Sequence, residues 1–84
     1  MMNYHGTTKS RAENIKKFGF YPQHSVNITS DYDEALEYAK YLADDEDDFP
    51  CVIKVKIKSN AKPKSEYGLD SMAYKSKDVL LINE

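Results

Sequence analysis

The sequence predicts an α+β fold, with two helices packed on short, mostly antiparallel strands. Three observations carry that reading. Residues 51–58 set Ile53, Val55 and Ile57 against Lys54, Lys56 and Lys58, the period-two pattern of a strand with one wet face. Residues 10–18 and 31–42 carry apolar residues at helical spacing behind helix-start chemistry. Strand-like and helix-like segments interleave along 84 residues, a length that gives one small domain, 1–84, and one core.

Each element follows in order. Residues 2–5 are a short apolar and aromatic strand that ends at Gly6. Ser10 and Glu13 fit a capping box, Ala12, Ile15 and Phe18 form an apolar stripe, and Gly19 supplies a left-handed stop. Residues 26–29 alternate as a second strand. Ser30 or Asp31 caps a second helix, with Asp33 and Glu34 in its first turn, where the helix dipole favours anions. Ala35, Leu36, Ala39 and Leu42 share one face of that helix, and the acidic run at residues 44–48 ends it. After the lysine-flanked strand, residues 59–75 read as loop, with a turn of helix an option over 69–74. Residues 79–82 are a continuous apolar run and hence a buried strand, with Asp78 at its entrance.

Composition narrows the chemistry. One cysteine, Cys51, excludes an internal disulfide and a multi-cysteine zinc site. The two histidines, His5 and His24, have no metal-ligand spacing, so no metal is expected. Three isolated glycines cannot make a phosphate-cradling loop, and there is no nucleophile elbow. Neither a secretory signal nor a membrane-length apolar run is present, so the cytoplasm is the default location. The net charge of −2 gives no global pull towards nucleic acid, although acids gather at 44–48 and lysines at 54–64. Seven tyrosines suit either a half-open cleft or ordinary half-buried packing.

The segment Tyr4-His5-Gly6-Thr7 at a strand end is the most informative feature. A glycine there lets a ligand reach the backbone, and a histidine beside it offers a donor and an acceptor. An ordinary turn glycine with an exposed histidine explains the same four residues.

Tyr4-His5-Gly6-Thr7-Thr8, then Ala12-Glu13-Asn14-Ile15, then Phe18-Gly19-Phe20, resemble the opening of ADP-ribosyltransferase-fold domains. Ile28-Thr29-Ser30-Asp31 and Ala35-Leu36-Glu37-Tyr38-Ala39 resemble that family's second strand end and helix, so the likeness spans residues 3–42. The resemblance implies NAD, bound as substrate in a cleft between small sheets. By position, His5 would hydrogen-bond a ribose hydroxyl, Gly6 would hold the nicotinamide carboxamide, and Tyr38 would stack on the ring, with Thr7 and Thr29 beside them. The family places an acidic residue near the start of a late strand. Asp78 is the first choice for it, with Glu84 and Glu66 as alternatives. An aspartate is one methylene shorter than the usual glutamate.

Two functions are therefore expected and remain open. One is a mono-ADP-ribosyltransferase acting on a macromolecular acceptor, protein rather than nucleic acid. The other is a non-catalytic protein-binding module on the same fold, such as a small inhibitor or a phage or bacterial effector of a larger host enzyme. A toxin-like activity on nucleic acid bases is a third, weaker option. The oligomeric state is not legible.

Overall fold

Alternation fixes which face of the third strand is buried. In the computed structural model, which describes residues 2–67 and 71–82, Ile53 and Val55 are buried while Lys54 and Lys56 are exposed. The elements run β1 Asn3–Thr8, α1 Lys9–Phe18, β2 Ser25–Thr29, α2 Tyr32–Glu46, β3 Pro50–Ile57, β4 Ser65–Tyr67, β5 Ser71–Lys75 and β6 Val79–Leu81, with a 3₁₀ turn at Ser76–Asp78. The result is a small α+β fold. One six-stranded sheet, in the order β4-β5-β2-β1-β3-β6, carries two helices. Every paired neighbour is antiparallel.

The pleat sorts side chains between two sides. His5 pairs with Ile53 and Asn3 with Val55, whereas Gly6 pairs with Val52 and Tyr4 with Lys54. Ile53 and Val55 join Val26, Ile28, Val79 and Ala12 of α1 in the core. On the Gly6 side, α2 buries Ala35, Ala39 and Ala43, one residue per turn. The approach is very close. A Cβ on Gly6 would lie 2.1 Å from the Ala35 carbonyl oxygen and 3.1 Å from the Ala39 nitrogen. Glycine on the strand and alanines on the helix let two backbones meet where larger side chains would hold them apart.

Several expectations are corrected. Gly6 lies inside β1 and not at a turn, because the strand continues through Thr7 and Thr8. Helix α1 starts at Lys9, capped by the Thr8 hydroxyl accepting from the Arg11 N–H at 3.3 Å, so Ser10 and Glu13 form no capping box. Gly19 ends that helix as expected, donating its N–H to the Ile15 carbonyl, but at φ 82° and ψ 178° it is extended and not in the expected left-handed helical conformation. Phe18 is 76% exposed, and Phe20 packs on the core in its place. Asp31 caps α2 as expected, accepting from the N–H groups of Asp33 and Glu34.

The acidic run ends α2 as expected, but the helix extends into it as far as Glu46. Asp44, Asp45 and Glu46 form its last turn, and Asp47 adopts the left-handed conformation at φ 53°. Glu46 accepts a two-pronged bond from Arg11 at 2.6 and 2.9 Å. The Asp48 carboxylate accepts the N–H groups of Phe49 (2.7 Å) and Ser10 (3.3 Å), which holds it below the ordinary carboxylate range. Part of the run therefore ties the end of α2 to the start of α1.

Residues 65–67 and 71–75, expected as loop or helix, are strands. β5 pairs along all five residues of β2, from Ser25↔Lys75 to Thr29↔Ser71, and β4 pairs with β5. β6 is an edge strand with Leu80 exposed, not a fully buried one. β3 is paired on both sides, by β1 and by β6.

Candidate functional site

The site begins where the sheet comes apart. β1 and β2 share a single registered pair among the described residues, Tyr4↔Thr29, whereas β1 and β3 share six. Beyond Tyr4 the two central strands diverge. Past that pair β1 and β2 have no further registered partners among the described residues. The His5 ring crosses the gap, with Nδ1 2.6 Å from the Asn27 carbonyl oxygen. A carbonyl only accepts, so Nδ1 carries the proton and Nε2 keeps a lone pair. Phe20 meets the ring edge-on at 5.4 Å and fixes its plane. Burial holds the imidazole below its ordinary pKa. The Asn27 carbonyl opposes that shift and the nearby Arg11 charge adds to it. Above that lowered pKa His5 is a neutral ring, offering an acceptor at Nε2.

Two cavities flank the gap. The one under the start of α2 has a volume of about 510 Å³ and is lined by Tyr4, Gly6, Thr29, Glu34, Ala35 and Tyr38 among others. The smaller, of about 260 Å³, is lined by His5, Thr7, Arg11 and Phe20. Gly6, Asn27 and Tyr38 line both, so the two form one cleft with Tyr38 at the junction. Tyr38 is 43% exposed, which leaves ring surface for a ligand. Tyr32 meets Tyr4 edge-on at 5.3 Å.

Thr29 organises the rim. Its hydroxyl accepts the Asp31 N–H at 3.1 Å and donates to the Glu34 carboxylate at 3.4 Å. Glu34 thereby brings a carboxylate to the cleft wall, one helical turn before Tyr38. Sequence reasoning missed this role and treated Glu34 only as a favourable charge in the first turn. The signal was present: Glu34 and Tyr38 are spaced i, i+4 and share one helix face.

The expected residues separate into two groups. His5, Gly6, Thr7, Thr29 and Tyr38 all line the cleft. Asp78 does not. It closes the 3₁₀ turn before β6 and lines a different cavity with Lys56, Lys58, Lys62 and Lys77. That cavity shares no lining residue with the cleft. Glu66 has its backbone on β4, opposite Met72, and Glu84 lies outside the described residues. No group of three or more His, Cys, Asp or Glu side chains among the described residues could hold a metal ion. No described helix is long and apolar enough to cross a membrane. No protein-family model, curated protein or solved structure matches the chain.

The cleft combines an aromatic face, a neutral histidine acceptor and, among the described residues, one carboxylate. That set can stack a flat ring on Tyr38 and accept hydrogen bonds at His5 and Glu34.

Proposed function

We propose that this protein is a mono-ADP-ribosyltransferase, cleaving NAD at the nicotinamide bond and passing ADP-ribose to a macromolecular acceptor. The observation that supports it most is the opening between β1 and β2, onto which His5, Gly6, Asn27 and Tyr38 converge. In this reading the nicotinamide lies on Tyr38, with its carboxamide on the β1 edge at Gly6. His5 Nε2 accepts a hydrogen bond from a ribose hydroxyl. The glycosidic C–N bond breaks with its electron pair going to nicotinamide, which leaves neutral. The ribose carries the resulting positive charge until a nucleophile on the acceptor adds to the same carbon and loses its proton to solvent. Glu34, in place of Asp78, would stabilise that charge, because it is the carboxylate that lines the cleft among the described residues.

The test uses NAD labelled in its adenylate half, incubated with the protein and a cell lysate. Label transfer and nicotinamide release are expected, lowered at least about tenfold in Glu34→Gln and in Tyr38→Ala, the scale of one lost transition-state contact. Background-level release, or a His5→Ala variant equal to the wild type, removes the enzyme reading. Loss in Asp78→Asn but not in Glu34→Gln removes the Glu34 assignment.

One observation favours a non-catalytic binding module. Asp44 and Asp45 stand in the last turn of α2 and Asp47 caps it, where negative charge opposes the helix dipole. Folding gains nothing from them there, whereas docking on a basic surface of a larger enzyme would. A partner captured equally by His5→Ala, and lost when Asp44, Asp45 and Asp47 become asparagine, would decide for that module.

A further inference from the structure

The net charge of −2 averages two separated regions. Nine of the fourteen acidic residues lie in two runs on or beside α2: Asp31, Asp33, Glu34 and Glu37, and then 44–48. The lysines of β3, the following loop and β5 gather elsewhere. A cavity of about 710 Å³ is lined by Lys56, Lys58, Lys62, Lys75 and Lys77, with Asn60 and Ser59 between them and, among the described residues, Asp78 as its one acid. A second cavity, of about 360 Å³, is lined by Lys64, Lys75, Lys77 and His24. Lys75 and Lys77 belong to both, so the two are one groove carrying six of the twelve basic residues of the chain.

The groove leads somewhere. His24 and Ser25 line the second lysine cavity and also the His5 side of the cleft. At that junction the exposed Tyr21 ring lies 4.7 Å from the His24 ring. A lysine-lined channel that meets exposed aromatic rings matches one ligand chemistry, a flexible chain of phosphates carrying flat bases. An acidic peptide would use the lysines but give the rings nothing to stack on.

We propose that the Lys56–Lys77 groove binds single-stranded nucleic acid, with phosphates along the lysines and a base on Tyr21 and His24. The strand would run from the edge of β6 towards the mouth of the cleft. This site stands apart from the NAD reading, since it uses none of the residues assigned to nicotinamide.

The probe is a fluorescein-labelled twelve-nucleotide deoxythymidine strand, read by fluorescence anisotropy without NAD between 50 and 200 mM NaCl. With about four phosphate contacts, log Kd should rise with log salt at a slope of about 2.8, a loss of about fifty-fold over that range. Lys58→Gln/Lys75→Gln/Lys77→Gln should lower the slope by about 2. Tyr21→Ala should weaken binding about five-fold or more, the scale of one lost base stack. Lys9→Gln/Lys16→Gln/Lys17→Gln removes the same charge from α1 and should bind within about two-fold of the wild type. Circular dichroism checks that each variant is folded. Absence of binding at 50 mM salt overturns the proposal. Equal losses in the two triple variants, or a glutamate dodecapeptide that competes as well as the unlabelled strand, also overturn it. Because NAD is absent, failure here leaves the cleft reading standing, and a cleft that ignores NAD leaves this binding intact.

Discussion

Replacing Gly6 with alanine puts one methyl group between β1 and α2. Its carbon would sit 2.1 Å from the Ala35 oxygen, 3.0 Å from the Ala35 carbonyl carbon and 3.1 Å from the Ala39 nitrogen. Reaching even a 3.0 Å carbon–oxygen separation requires a retreat of about 0.9 Å, the difference from 2.1 Å. All three obstructing atoms are backbone, so no rotamer change relieves the contact and the helix itself must move. Overpacking of this kind costs about 1–3 kcal/mol, and a backbone clash belongs at the upper end. For a domain of this size each kcal/mol moves Tm by about 4–8 °C, so a fall of about 10–20 °C is expected in a thermal melt followed by circular dichroism. Urea unfolding should show a lower midpoint with an unchanged slope, because the folded state loses stability without a change in exposed area. Trimming Ala35 or Ala39 to glycine should not rescue the variant, since their methyl groups are not the obstruction, and each glycine costs about a further 1 kcal/mol in the helix. A Gly6→Ala protein within about 0.5 kcal/mol of the wild type, a difference typical of surface changes, would refute the close packing of α2 on β1.

Three other outcomes follow from the same contacts. His5 titrates below its ordinary value in the folded chain, so above about pH 6.5 both states are neutral and it adds no pH dependence. As pH falls below 6.5 the unfolded chain takes up a proton that the folded one resists, and Tm should decline until pH passes the folded pKa. His5→Asn keeps an N–H for the Asn27 carbonyl and should flatten the profile between pH 6.5 and 5, where an unchanged slope would contradict the assignment. Asp31→Ala removes the acceptor for two first-turn N–H groups of α2 and should cost about 1 kcal/mol by urea unfolding. Arg11→Gln breaks the bond to Glu46 but at an exposed site, so the same assay should register less than about 1 kcal/mol.

The parts of the fold legible in the sequence were those with local signals. β3 announced itself by strict alternation, Gly19 by its place after the last helical turn, and Asp31 by the acids that follow it. β5 did not, because Ser-Met-Ala-Tyr-Lys holds no β-branched residue and its strand state comes from pairing with β2. The acids at 44–48 marked the end of α2 but not how far into the run the helix extends. Acids read as a helix stop, but Ala43 against the sheet and the Arg11 contact to Glu46 carry the helix another turn. At the site, the residues in the His-Gly-Thr segment and Tyr38 could be picked out because order and spacing were visible. The acid could not be placed. Asp78 stands before an apolar strand, but β6 pairs with β3 at the far edge of the sheet, away from the β1–β2 opening. Glu34 reaches the cleft through a turn made by Thr29 and Asp31, a three-dimensional arrangement that its first-turn position did not reveal.

The central claim is that the opening between β1 and β2 takes NAD against Tyr38, and a thermal melt with and without NAD tests it most directly. A ligand that binds only the folded chain stabilises it by about 2.7 kcal/mol at one hundred times its Kd. That corresponds to a rise in Tm of about 10–20 °C for a domain of this size. The account predicts that rise for the wild type, and a much smaller one for a folded Tyr38→Ala protein. No shift at millimolar NAD, or an equal shift in both proteins, would contradict it.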